Sequence, residues 1–323
     1  MKKQWKILIA IFALVILFAT PILFKQQTEQ VHSKETKTTK AEQAACPIFI
    51  QVEGVDEAQP LEQYVKGVIA GEMPVSFHEE ALKAQALAAR TYALKMTNYG
   101  EKPIAKDVSA QVYLTEKERK KRWGKAFKEH EKKVEQAVQA TEGEVIIFED
   151  ELITAMFFAT SNGQTEDIKN FSGTAIPYLQ SVESKGEEKV TPTFVENNEL
   201  SLAEWNTLLG DKWDQKRFET LQLIRNASGR VQEMVADNFK KTGREVREQL
   251  GLRSTDFNIA FDVDRERVLI ETVGYGHGVG LSQYGAEAYA QAGKTADEII
   301  RHYYTGVTTK KIEKDAVECL KTP

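Results

Sequence analysis

An uncharged run from Ile7 to Phe24 constrains this chain before anything else does, with Lys2, Lys3 and Lys6 ahead of it and Lys25 closing it. As a helix the run reaches roughly 27 Å, close to the thickness of a hydrocarbon core. A cleaved signal ends on a small-x-small pattern, whereas Thr20-Pro21-Ile22-Leu23-Phe24 ends on bulky residues, so residues 7–24 read as an uncleaved single-pass transmembrane anchor. The lysines within residues 1–6 then place the N-terminus in the cytoplasm and the rest of the chain outside it. Residues 25–45 are polar, aromatic-free and aperiodic, which reads as a flexible tether.

Beyond the tether the chain can bury a core. Its 323 residues are 41% hydrophobic and 28% charged, which suits a folded extracytoplasmic domain over residues 46–312 and a short C-terminal tail at 313–323. The net charge of -5 argues against nucleic acid as a partner. The two cysteines, Cys46 and Cys319, lie too far apart in sequence to make a framework; two free thiols are the simpler reading, and a bond stays open.

Periodicity predicts a mixed α+β domain with a substrate groove. A strand is expected at Ile48–Val52, and Leu61–Ala70 leads into a turn at Glu72. Ser76-Phe77-His78-Glu79 matches a capping box, so a helix is expected from Phe77, with Leu82, Ala86, Ala89, Ala93 and Met96 on one apolar stripe. Lys117–Val138 reads as one charged helix with a solvated face. Hairpins are expected at 144–159, around Glu149-Asp150-Glu151, and at 257–273, around residues 264–267. Pro177–Val182 reads as a further strand, residues 185–255 as acidic linkers with two or three helical stretches and no chemistry, and Thr295 as the cap of a last helix.

One carboxylate stands in unusual company. Glu72 lies between Ala70-Gly71 and Met73-Pro74, and partial desolvation raises a carboxyl pKa toward the range of a general acid. A carboxylate that merely caps the next element is the competing reading. Lys83 and Arg90 share one flank of the apolar stripe, and Gln85 and Tyr92 the other, where they project into a cleft or snorkel at the edge of a core helix. Ser161-Asn162-Gly163 turns the chain or binds sugar. The alternating glycines from Gly274 to Gly280 around His277 let backbone approach backbone or a ligand. No Gly-Lys-Ser/Thr follows them and no βαβ unit surrounds them, so neither a phosphate loop nor a dinucleotide fold fits. None of the five histidines has HxxxH spacing, and no G-x-S-x-G elbow occurs. A lone acid suffices for glycan cleavage if the attacking hydroxyl belongs to the substrate.

Three ordered motifs carry a resemblance: GVIAGEMPVSFHEEALKAQALAARTYAL from Gly67, FFATSNGQTED with IPYLQSVES behind it, and GYGHGVGLSQYGAEAYA from Gly274. Together they resemble the stage II sporulation protein D family over most of residues 46–312, and the anchor and tether fit it too. The resemblance implies a membrane-anchored peptidoglycan lytic transglycosylase acting in forespore engulfment. It would cut between N-acetylmuramic acid and N-acetylglucosamine in peptide-stripped glycan strands, leaving 1,6-anhydro ends.

By the same resemblance Glu72 is the catalytic acid, Lys83, Gln85 and Arg90 border the substrate groove, and Ser161, His277 and Tyr284 bind substrate as well. No cofactor is implied. Where some members hold zinc through histidine and cysteines near the Ser-Asn-Gly loop, this chain has Phe157 and Phe158 there and no cysteine near that loop, so no metal is expected. Implied partners are the amidase stage II sporulation protein P and the membrane protein stage II sporulation protein M. Some relatives are described as amidase enhancers, which leaves a non-catalytic glycan-binding activator as the alternative.

Overall fold

The alanine-rich segment becomes the axle of the fold. It is helical over Glu79–Thr97, and Ala81, Leu82, Ala84, Ala86, Leu87, Ala88, Ala89, Ala93 and Leu94 are all buried. Short side chains let neighbours approach from every side, so the expected one-sided stripe is an all-round core, with each buried leucine contributing about 2 kcal/mol. Met96, assigned to the stripe by its spacing, is instead 47% exposed. The helix also starts two residues later than the capping box predicts. Phe77 is buried and gives its carbonyl to Lys133 Nζ at 2.7 Å, so His78 becomes the cap, its Nδ1 accepting from the Glu80 amide at 3.2 Å.

The computed structural model describes residues 48–312; the anchor, the tether, the tail, His32 and both cysteines lie outside them. Two short strands, β1 (Phe49–Ile50) and β2 (Gln59–Pro60), lead into helix α1 (Leu61–Glu72), which packs on the axle, α2 (Glu79–Thr97). The segment expected as one charged helix is two, α3 (Glu116–Trp123) and α4 (Phe127–Ala140), because Gly124 breaks it with φ of 51°. Lys66 of α1 and Arg119 of α3, both buried, share Glu131 of α4 at 3.0 and 2.8 Å. That network clamps the three helices together.

Strand β3 (Glu144–Phe148) turns through Glu149 and Asp150, both at positive φ, into β4 (Glu151–Leu152). The first hairpin is therefore real but short. The next strand, β5 (Phe157–Phe158), leaves it and pairs in parallel with a segment 124 residues on, as described below. Residues 177–182 form no strand: Val182 spends its amide on the Thr165 hydroxyl at 2.8 Å rather than on a ladder.

Residues 195–273 hold a second core that the sequence does not announce. Strand β6 (Val195–Ser201) and helix α5 (Leu202–Leu209) precede the meander β7 (Gln222–Arg225), β8 (Val231–Ala236) and β9 (Phe239–Thr242), then α6 (Gly243–Leu250) and the expected hairpin β10 (Phe257–Asp262) and β11 (Arg267–Val273). Buried Trp205, Trp213, Met234, Phe239, Val246 and Phe257 fill its interior. The chain then returns to the first core through β12 (Leu281–Ser282), the partner of β5, with α7 (Gln283–Gln291) and α8 (Ala296–Tyr303) packed on α2, and β13 (Thr308–Lys311) beside β3. Thr295 caps α8 with Glu298, as its sequence predicts.

Candidate active site

Glycine spacing places the acid. Gly67 and Gly71 share a face of α1, and a Cβ on either would meet the 112–114 segment, at 2.2 Å from the Tyr113 ring and from the Val112 carbonyl. Because both are glycine, residues 110–115 lie flat against the helix, with the Leu114 amide on the Gly67 carbonyl at 3.1 Å. This delivers the Val112 amide to Glu72 Oε1 at 2.6 Å. Gln283 Nε2 reaches Oε2 from the other side at 3.3 Å.

Glu72 itself is the last residue of α1 and half-buried. Burial raises its pKa above 4.5, against two weaker opposing causes, the Val112 and Gln283 hydrogen bonds, which favour the charged form. Its place at the negative end of a helix dipole also disfavours the anion. No neighbouring carboxylate is among the causes. The result is a solitary acid, held by two donors and open to solvent on one side.

The three sequence motifs meet behind it. All four glycines of the Gly274–Gly280 loop have positive φ, and Cβ atoms on Gly274 and Gly280 would meet the Thr160 and Met156 carbonyls at 2.7 and 2.1 Å. The alternation therefore serves backbone-to-backbone approach: Thr160 and Tyr275 exchange amides for carbonyls at 2.9 and 2.7 Å, and the Tyr284 amide reaches the Ala159 carbonyl at 3.0 Å. Beneath this seam sits Glu187, fully buried, accepting from the Ser161 amide (2.8 Å), Ser161 Oγ (2.6 Å), Ser184 Oγ (2.5 Å) and Ser282 Oγ (2.8 Å). Burial raises its pKa in spite of these bonds. Sequence reasoning found no chemistry in residues 185–255 and so missed Glu187; nothing in Lys185-Gly186-Glu187-Glu188-Lys189 distinguishes it from a solvated run.

The other expected residues do not gather in one place. Tyr284 is half-buried beside the site, its ring edge-on to Phe77 at 4.9 Å. Ser161 is fully buried on Glu187, and His277 is wedged between Phe158 and Phe171 with its Nδ1 accepting from the Val279 amide at 3.0 Å. Burial and the nearby Arg247 push the His277 pKa down to about 4. Lys83 pairs with Glu79 and Glu80 of its own helix at 2.6 and 3.0 Å. Gln85 is fully buried, and neither its amide nitrogen nor its oxygen has a partner among the described residues.

Arg90 is not at the acid at all. It is fully buried, forks onto Glu62 at 2.6 to 3.2 Å and donates to the Glu144 carbonyl at 3.0 Å. Glu62 lies in the first turn of α1 and Glu72 ends the helix, so the two lie roughly 15 Å apart along the helix axis. Arg90 fastens the start of α1 to the turn before β3.

A family described as Stage II sporulation protein matches residues 52–148. The chain is 39% identical over 285 residues to the stage II sporulation protein D of Bacillus amyloliquefaciens, covering 85% of this chain and 82% of that protein. It is 38% identical over 291 residues to its counterpart in Bacillus subtilis (strain 168), covering 88% and 83%. An amidase enhancer of Bacillus subtilis is 26% identical over 297 residues, 76% of this chain and 40% of that protein. The mixed α+β domain around Glu72 is thus that of a sporulation protein. The chain belongs to the stage II sporulation protein D family.

Proposed function

We propose that this protein is a lytic transglycosylase that cleaves peptide-stripped peptidoglycan strands during engulfment, and that Glu72 is its acid. The observation that carries the reading is a single half-buried carboxyl with a raised pKa and no second carboxylate acting on it. Protonated Glu72 gives its proton to the glycosidic oxygen as the bond to muramyl C1 breaks. The resulting carboxylate, held by Val112 and Gln283, takes the proton of the muramyl 6-hydroxyl as that oxygen closes on C1. Water is not consumed, so a second carboxylate to activate it is unnecessary.

In this reading the chain is anchored by residues 7–24, N-terminus inside, with the domain between the mother-cell and forespore membranes. Stage II sporulation protein P, an amidase, supplies stripped strands, and the membrane protein stage II sporulation protein M is a second partner. A second reading, an activator of an amidase, draws on the relative named amidase enhancer. The test is to incubate full-length protein in detergent, wild type and Glu72→Gln, with stripped strands and no amidase. Anhydro-muramyl ends from wild type alone are expected; reducing ends would mean hydrolysis, and intact strands with both would favour the activator.

A further inference from the structure

The α3–α4 pair carries a charge that the fold does not use. Basic residues outnumber acidic ones three to one between Lys117 and Lys133, in a chain whose net charge is -5. The acids of that stretch are largely spoken for: Glu131 holds Lys66 and Arg119, and Glu118 faces Lys106. Lys121, Lys125 and Lys128, by contrast, are exposed and have no carboxylate within 4.0 Å among the described residues. A solvated face is the simplest reading of such a run, but two contacts fasten this charged helix pair to the backbone that flanks Glu72. Arg122 Nη1 donates to the Ala70 carbonyl at 3.0 Å and Lys133 Nζ to the Phe77 carbonyl at 2.7 Å, one on each side of Glu72 in sequence.

Between the lysines the bend presents aromatic surface. Trp123 is half-buried, with Phe127 at 6.2 Å and His130 edge-on at 5.5 Å. An indole that is part apolar face and part polar edge is suited to a sugar ring, and flanking lysines are suited to carboxylates on that sugar.

We propose that the α3–α4 bend is an outer subsite for an anionic glycan, in which Lys121, Lys125 and Lys128 read the lactyl carboxylates of muramic acid beside a sugar stacked on Trp123. The inference rests on the glycan-cleaving reading of Glu72 and adds to it a reason for preferring stripped strands. Removal of a stem peptide turns the lactyl amide into a free carboxylate, so each muramyl unit gains a charge that the bend can hold. The lysines act on binding, not on the bond that breaks.

The test reads binding, with full-length Glu72→Gln protein in detergent titrated against two labelled oligosaccharides of equal length. One is stripped muramyl–glucosaminyl glycan; the other is a chitooligosaccharide with the same linkage and no lactyl group. Stripped glycan should bind about tenfold more tightly at low salt, and the advantage should shrink as salt shortens the screening length. The triple variant Lys121→Glu, Lys125→Glu, Lys128→Glu should lose the advantage while its chitooligosaccharide affinity moves less than twofold. Circular dichroism and melting temperature show whether it folds, and the single variant Lys125→Gln, with a partial loss, stands in if it does not. Equal affinity for both glycans, or an advantage that survives reversal in a folded protein, overturns the subsite. Cleavage by Glu72→Gln would instead sink the catalytic assignment and leave the binding comparison standing.

Discussion

Gln283 Nε2 donates to Glu72 Oε2 at 3.3 Å, joining side chains 211 positions apart. The residue before Gln283, Ser282, hangs from the buried Glu187, and the residue after it, Tyr284, rests on Phe77. One dipeptide step therefore couples the acid to the seam between the glycine loop and the Ser-Asn-Gly loop. Gln283 is a positioning residue for a proton donor.

Removing that donor moves the acid in a defined direction. Gln283→Ala deletes one of two groups that stabilise charged Glu72, so its pKa, already above 4.5, rises further. The limb of the pH–rate profile on which activity falls with rising pH should shift to higher pH, with kcat reduced by about tenfold from lost orientation. A limb that moves to lower pH would contradict this geometry.

Glu72→Gln should abolish glycan cleavage and stabilise the fold. The folded pKa of Glu72 is raised, so its contribution to stability is complete below the unfolded value and is lost as pH climbs through the raised one. At neutral pH the wild type bears that cost and the amide does not. Thermal melts at neutral pH should place the variant about 1–4 °C higher, with the gap closing toward pH 4. A variant that melts lower at every pH would show that the carboxylate is there for structure.

The acid was legible because small and apolar residues crowd it in sequence; its partners were not, because they come from elsewhere. Val112 contributes a backbone amide, which no side-chain pattern encodes, and it arrives only because Gly67 and Gly71 clear the helix face. Arg90 and Lys83 share a helix flank, as their spacing requires. A helix flank, however, does not say which end of a neighbouring helix it meets, and Arg90 meets Glu62. The meander at residues 222–242 failed for another reason: the strands β7 and β9 are four residues each and rich in lysine, glutamine and arginine, so their period of two is lost among charges.

Glu187 should behave as a structural keystone. Glu187→Ala leaves the Ser161 amide and three serine hydroxyls without their acceptor in a closed interior, a cost of about 3 kcal/mol or more. Glu187→Gln turns one acceptor into a donor among donors and should lose about half as much. Urea midpoints measure both. If either variant keeps wild-type stability while losing glycan cleavage, Glu187 belongs to the chemistry and not to the seam.

Gly71→Ala tests the approach of the 110–115 segment. The new methyl would stand 2.2 Å from the Val112 carbonyl, a backbone atom that cannot rotate aside. The segment must back away, and the 2.6 Å bond from the Val112 amide to Glu72 lengthens or breaks. Cleavage should fall at least tenfold although no side chain at the acid has changed, and the amide resonance of Val112 should move in parallel. An active variant with that resonance in place would mean that the amide does not orient the acid.

Arg90→Lys separates the groove assignment that family resemblance implies from the one that the fold implies. The guanidinium forks onto Glu62 and reaches the Glu144 carbonyl from a fully buried position. An ammonium keeps the charge but cannot reproduce the fork, and a buried ion pair that loses its geometry costs about 3 kcal/mol. The variant should melt several degrees lower, while kcat and KM measured well below that transition stay within about twofold of wild type. A tenfold rise in KM with an unchanged melt would place Arg90 on the glycan, and α1 would then have to present both of its ends to the substrate.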